Sequence, residues 1–355
     1  MLTSPTTRSH PILKALKHRL WNAVHEPDPP GQSGVHIDPL DVPPVDMSTR
    51  STWHREAFSG PEMAAFRRCL TIGDADVRTS VLDDLATYYD VTPEEARRRA
   101  LHWEEISVQE WADANGDDGD DGRVEFYRTQ NSWAYDLMWW AYLQAEGHAD
   151  PSNVVALRFL QQWAPGRRHL DFGSGVGVTS QVFIETGWTS SMADLSSTLL
   201  DFARFRLERR GREATTVDLL DQELPAGAYD AITAIDTLAH VPDVHETART
   251  LHTALGRDGV LVANIDVRSA SPETVWHIQD DEKRAAYDVL RAGFVHIGSM
   301  GYELQAYRKV RASGPRFRVR TLGQWVVMAS PMRRVAVRAG RRVLRGLWSV
   351  RERLR

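Results

Sequence analysis

Gly173, Gly175 and Gly177 stand at alternate positions in His169-Leu-Asp-Phe-Gly-Ser-Gly-Val-Gly-Val-Thr-Ser180. Glycines so spaced let a chain turn sharply and let a ligand approach the main chain. Amides that open a following helix favour a carboxylate or a phosphate. The dinucleotide fingerprint G-x-G-x-x-G would require glycine at 178, where Val178 stands. Acids mark other places of the same kind. Asp171 ends the strand before the turn, and Asp194 ends the next strand-like run, Trp188 to Asp194. An acid at the tip of a second strand is where a ribose diol is gripped. Asp218 follows the short run Ala214 to Val217, and Asp236 ends Tyr229 to Asp236.

The elements that must position these groups follow from the pattern around them. Five apolar, β-rich runs, the last being Gly259 to Ile265, alternate with helical stretches. That alternation predicts an α/β fold, a doubly wound sheet with its ligand at the carboxyl edge. The first ten residues form a loose end. Ile12, Leu13, Leu16, Leu20, Trp21 and Val24 then recur at helical spacing among Lys14, Lys17 and Arg19, a basic amphipathic helix. Prolines between 27 and 44 make the next stretch an extended linker, so residues 1–50 form a leading segment. Residues 51–149 read as an α-helical N-terminal domain. Within it Thr92-Pro93-Glu94-Glu95 is a helix start, with Thr92 as cap, proline at the first position and Glu95 reaching back.

With these motifs in place, residues 150–310 resemble a class I S-adenosylmethionine-dependent methyltransferase. Asp171-Phe-Gly-Ser-Gly-Val-Gly177 matches the family's first motif, D-x-G-x-G-x-G. Asp194 matches its ribose-binding acid, and Asp218-Leu219 its adenine-side position. Ile235-Asp-Thr-Leu-Ala-His-Val241 matches the fourth-strand motif of the branch that modifies small molecules and lipids. That branch often has Glu-His where this chain has Ala239-His240. Gly293 to Ser299 and Tyr302 to Arg308 fit the closing antiparallel strands. The resemblance implies a Rossmann-like, seven-stranded sheet and S-adenosylmethionine as cofactor. It implies cofactor contacts from Asp171, Gly173, Ser174, Gly175, Gly177, Asp194, Leu195, Asp218, Leu219 and Asp236. The implied chemistry is an in-line attack on a sulfonium methyl, in which alignment of acceptor, methyl and sulfur can be worth about 7–11 kcal/mol.

The acceptor side is read from aromatics and histidines. Tyr127, Trp133, Trp139 and Trp140 are the expected apolar wall, because sites favour domain interfaces and aromatic linings. The competing reading of that cluster is an interface between the helical domain and the sheet. His240 and His277 are the histidines placed to act as general base, the alternative for each being a supporting role. An N-P-P-Y tetrapeptide, typical of amino-group methylation on nucleic acid and protein, is absent. The aromatic-rich helical segment and amphipathic termini lean toward a lipid, isoprenoid or secondary metabolite, methylated on oxygen or carbon. Two other classes compete: a cofactor-binding scaffold that transfers nothing, and a nucleotide-dependent oxidoreductase, against which Val178 argues.

Composition sets outer limits. The 355 residues are 42% hydrophobic and 26% charged, ordinary for a protein with a sizeable core. One cysteine, Cys69, cannot form an intramolecular disulfide, and with no apolar leader or spanning run the expectation is a cytoplasmic protein. No metal site is expected: the acidic stretch Asn115 to Gly122 fails the calcium-loop template, with Asp118 where glycine is needed, and reads as a solvated loop. Net charge is −5, yet Arg311 to Arg355 holds thirteen arginines and one acid, Glu352. There the sequence predicts a strand from Phe317 to Val327, then a basic amphipathic helix from Pro331 to Arg355. Such termini suit self-docking, an oligomer contact or a peripheral membrane contact better than nucleic acid.

Overall fold

A computed structural model describes residues 44–46, 50–113, 120–265, 279, 281–300, 304–311 and 314–329. The expected helices at Ile12–Val24 and Pro331–Arg355 lie outside the described residues, as does His277. So does most of the acidic loop, whose last residues open a helix at Asp120. Residues 36–328 form one compact unit.

The described chain opens with helices α1 (Thr52–Ser59), α2 (Pro61–Leu70), α3 (Val77–Tyr89), α4 (Pro93–Leu101), α5 (Trp103–Asp113), α6 (Asp120–Thr129), α7 (Ser132–Glu146) and α8 (Ser152–Trp163). Thr92 caps α4 as its sequence requires, its hydroxyl accepting from Glu95 N at 3.2 Å. The Glu95 carboxylate binds Arg98 and Arg99. Then come β1 (Arg168–Phe172), α9 (Val178–Glu185), β2 (Thr189–Asp194), α10 (Ser197–Arg209), β3 (Thr215–Asp218) and β4 (Tyr229–Ala234). The chain continues through α11 (Val244–Ala254), β5 (Leu255–Ala263), α12 (Glu282–Arg291), β6 (Phe294–Ser299), β7 (Gln305–Lys309) and α13 (Gly314–Ala329).

The seven strands lie in the order β3-β2-β1-β4-β5-β7-β6. The first five are parallel to one another, while β7 runs antiparallel to both β5 and β6. The chain winds outward from β1 to β3, then resumes at β4 on the other side of β1. The carboxyl ends of β1 and β4 therefore flank the switch point where such sheets bind ligands. Strand pleating sends alternate residues to opposite faces. Ala231, Val260 and Val262 join the core shared with α2, α3, α7 and α8, and Ile232, Leu261 and Ala263 join the core under α11 and α12. The N-terminal helices thus bury their apolar faces against one side of the sheet, in one continuous core with it.

A buried ion network ties that helical layer to the sheet. Asp84 of α3 and Arg206 of α10 are both 0% exposed and 3.3 Å apart. Arg209 and Arg210 reach the same carboxylate at 2.8 and 2.7 Å. Arg206 also donates to the Val176 carbonyl, inside the glycine-rich turn, at 2.8 Å.

Residues Phe317 to Val327, expected as a strand, belong instead to the helix α13. The β-branched and aromatic residues there suggested a strand. Yet Thr321, Gln324, Trp325 and Met328 share one helical face, and that face packs on the body. The Trp325 ring lies 5.5 Å from Tyr287, and Gln324 exchanges hydrogen bonds with the His296 backbone. Packing overrides a weak local preference.

Candidate cofactor and acceptor site

The turn after β1 holds Gly173, Gly175 and Gly177 at φ of 70°, 50° and 72°, left-handed conformations that side chains resist. Its space is also contested by the protein. A Cβ on Gly173 would come 2.3 Å from the Thr237 side chain, one on Gly175 2.7 Å from Leu137, and one on Gly177 2.7 Å from Met192 sulfur. The glycines therefore let the turn pass between α7, β2 and the loop after β4.

Most of the turn's amides serve the fold. Gly173 N and Ser174 N donate to Ala193 O, and Gly177 N to Ser174 O. Gly175 N donates to Asp194 Oδ2 at 2.8 Å. Ser180 N, in the first turn of α9, donates to the Asp171 carboxylate at 3.2 Å. The anion expected at this helix start is thus in part the chain's own. Ser174 Oγ differs: it is buried and has no hydrogen-bond partner among the described residues.

Asp171, expected among the cofactor contacts, is 2% exposed and turned beneath the turn. Besides Ser180 it accepts from Thr233 Oγ1 at 2.8 Å. Thr233 Oγ1 also lies 2.9 Å from His169 Nε2, whose Nδ1 is 2.8 Å from Ser190 Oγ. Burial pushes the Asp171 carboxyl up to about 7, against the hydrogen bonds from Thr233 and Ser180, and pushes His169 down to about 3. Asp171 and His169 form a buried polar thread under β1, β2 and β4, so Asp171 props the turn from below.

Asp194 faces the other way. It is half-buried at the end of β2, its Oδ1 accepting from Ser196 N at 2.9 Å while Oδ2 holds Gly175 N. Burial raises its pKa, and the backbone hydrogen bonds from Ser196 and Gly175 oppose that. Strand register sets Asp194 directly beside Asp218 at the end of β3. Leu219 N donates to Asp194 O at 3.0 Å, and Asp218 Oδ1 accepts from Leu220 N at 3.0 Å. Leu195 and Leu219, each half-buried, follow these two acids.

Asp236, just past β4, is exposed and sits at φ 53°, unusual for a residue other than glycine. Asn264, past the end of β5, holds it there: Asp236 N donates to Asn264 Oδ1 at 2.6 Å, and Asn264 Nδ2 donates to Asp236 Oδ1. In the sequence Asn264 is marked only as a lone amide ending an apolar strand. His240 lies at the same edge, with Nδ1 3.0 Å from the Tyr127 hydroxyl. The Tyr127 ring packs edge-on to Trp133, centroids 4.6 Å apart. Gln279 N, entering the stretch before α12, donates to Ala239 O.

The expected aromatic wall divides. Trp133, Asp136, Leu137 and Trp140 are half-buried at i, i+3, i+4 and i+7 on α7, the face that meets Gly175 through Leu137. Trp139 is 0% exposed and packs on Tyr142 at 4.9 Å. It belongs to the core rather than to an acceptor wall. A helix of such aromatic density must bury one face, and helical phase selects which tryptophan that is.

Residues 153–297 match the family model described as "Methyltransferase domain". Together with this strand order, that decides the family. Residues 153–297 form a class I, S-adenosylmethionine-dependent methyltransferase domain. Among curated proteins the chain is 31% identical over 119 residues to a ubiquinone biosynthesis O-methyltransferase of Actinobacillus pleuropneumoniae, covering 31% of this chain and 51% of the relative. It is 34% identical over 104 residues to the protein of that name from Bordetella avium, covering 27% and 43%. The chain spans about half the length of the curated relatives it matches. A solved S-adenosylmethionine-dependent methyltransferase from Mesorhizobium loti is 20% identical, covering 44% of this chain and 98% of that one, with a TM-score of 0.36.

S-adenosylmethionine is the cofactor of the methyltransferase domain. The residues at the switch point suit it: Ser174 Oγ is a buried polar atom without a partner among the described residues, and two carboxylates end adjacent strands. Among the described residues no cluster of three or more His, Cys, Asp and Glu could hold a metal ion, and no helix is long and apolar enough to cross a membrane.

Proposed function

We propose that the chain transfers a methyl group from S-adenosylmethionine to an oxygen of a small, apolar acceptor, a lipid, isoprenoid or secondary metabolite, with carbon as the second choice of atom. The observation that carries this is the Tyr127–His240 pair at 3.0 Å beside the half-buried face of Trp133, Leu137 and Trp140. A base against an aromatic wall suits a hydroxyl on an apolar body. The curated relatives are named for O-methylation in ubiquinone biosynthesis, which favours oxygen.

When bound, the cofactor supplies an electrophilic sulfonium methyl, so the chain's work is to bind, align and remove a proton. Asp194 would accept from the two ribose hydroxyls, and Asp218 would accept from the adenine amino group, with Leu195 and Leu219 against the ring. Ser174 Oγ would hydrogen-bond the methionine part beside the glycine-rich turn. Asn264 holds Asp236 at the mouth of β4. With the Nδ1 hydrogen of His240 donated to the Tyr127 oxygen, Nε2 would carry the lone pair that takes the acceptor hydroxyl's proton. Tyr127 and Trp133 steer the acceptor toward it.

The test is incubation of the purified chain with methyl-labelled cofactor and cell lipid extract, followed by mass analysis of the labelled product. A labelled, ether-linked lipid or quinol is expected. Cofactor binding with no label in any lipid fraction would refute the apolar acceptor. Binding with no transfer to any fraction would favour a scaffold that transfers nothing.

A further inference from the structure

The helix α13 presents two faces. Thr321, Gln324, Trp325 and Met328 face inward, with Trp325 Nε1 donating to Lys283 O at 3.0 Å. On the outer side Val319, Leu322 and Val326 recur at i, i+3 and i+7 and are 72%, 53% and 53% exposed. They make up three of the five exposed large apolar side chains among the described residues, the others being Trp163 and Leu220. An apolar stripe concentrated on one helix calls for a partner.

The charges around the stripe say which. Arg316, Arg318 and Arg320 are exposed, and on a helix of 3.6 residues per turn they fall on both sides of it. No acid occurs between Arg311 and Met332, and the arginine-rich sequence continues to Arg355. A second copy of the chain docking there by two-fold symmetry would set these arginines against their own equivalents. The N-terminal amphipathic segment carries Lys14, Lys17 and Arg19 and would be repelled in the same way. An anionic lipid surface satisfies both the apolar stripe and its cationic borders.

We propose that the outer face of α13 seats the protein on anionic membrane, with Val319, Leu322 and Val326 entering the headgroup layer and Arg316, Arg318 and Arg320 meeting lipid phosphates.

The test is co-sedimentation of the full chain with vesicles of phosphatidylcholine alone and of phosphatidylcholine mixed with phosphatidylglycerol. Binding is expected only to the mixed vesicles and should weaken as salt screens the charges. Leu322→Asp with Val326→Asp should lower partitioning about tenfold or more. Changing Arg316, Arg318 and Arg320 to Ala together should lower it roughly fivefold per charge removed. All of these side chains are exposed, so melting temperatures should match the parent and report that folding is intact. Equal pelleting with both vesicle types would overturn the proposal, as would parent-like binding by both variants. So would a dimer on gel filtration that the aspartate variant dissociates, in a protein that ignores vesicles.

Discussion

Replacing Asp84 by Ala tests how the helical layer reaches the cofactor turn. The Asp84 carboxylate is the buried counter-charge for Arg206, Arg209 and Arg210. Burial already pulls the Arg206 pKa down to about 10, because water does not reach that guanidinium. Removing its partner leaves a positive charge with 0% exposure, a change worth about 3–5 kcal/mol. In a domain of this size about 1 kcal/mol moves the melting temperature by roughly 2–4 °C, so a fall on the order of 10 °C is expected. The effect should extend to ligand binding, because Arg206 is also the donor to Val176 O in the glycine-rich turn. Calorimetric titration with S-adenosylhomocysteine should show weaker affinity for Asp84→Ala at a temperature where it is still folded. Asp84→Leu combined with Arg206→Leu removes the fully buried charge, while Arg209 keeps Asp83 and Arg210 loses its carboxylate, so part of the stability should return; Val176 O still lacks its donor and affinity stays low. If Asp84→Ala melts within about 1 °C of the parent, or if the double variant binds cofactor like the parent, the reasoning fails.

Other outcomes follow from the same geometry. Asp194→Asn keeps one acceptor but sets an amide near Gly175 N, so cofactor affinity measured by calorimetry should fall at least about tenfold, each hydrogen bond to a charged group being worth about 1.5–3 kcal/mol. Tyr127→Phe should reduce turnover several-fold while leaving cofactor affinity near the parent's; His240→Asn should cost about 100-fold or more if the ring is the base, as steady-state assays on the lipid acceptor would read. The buried thread has a linkage of its own. The contribution of Asp171 is complete below its unfolded value of 3.8 and is lost as pH rises to about 7, whereas that of His169 is complete above 6.5 and is lost as pH falls to about 3. Between 3.8 and 6.5 the two slopes oppose each other, so His169→Gln should expose that of Asp171, and its melting temperature relative to the parent's should decline as pH rises through that window.

Much of the domain was legible in the order of its residues, because the signals are local. Alternating glycines demand left-handed backbone, β-rich runs punctuated by helices demand a parallel sheet, and acids after those runs come to one edge by topology alone. From these a doubly wound sheet with its ligand at the carboxyl edge could be expected, and the family resemblance that the same motifs carry implied seven strands and the cofactor. What the tertiary structure decided is direction and partnership. Asp171 and Asp194 both end strands in the sequence, yet one points into the body and the other into the turn's hydrogen bonds, a matter of pleat and register. Trp139 and Trp140 are neighbours in the chain, yet helical phase buries the first and leaves the second half-open. Asn264 pairs with Asp236 across two strands, and Arg206 answers Asp84 across 122 residues. Phe317 to Val327 had strand-forming residues, and a docking face for Trp325 made them helix. Backbone requirements are written residue by residue, whereas a side chain's partner exists only once distant segments have been brought together.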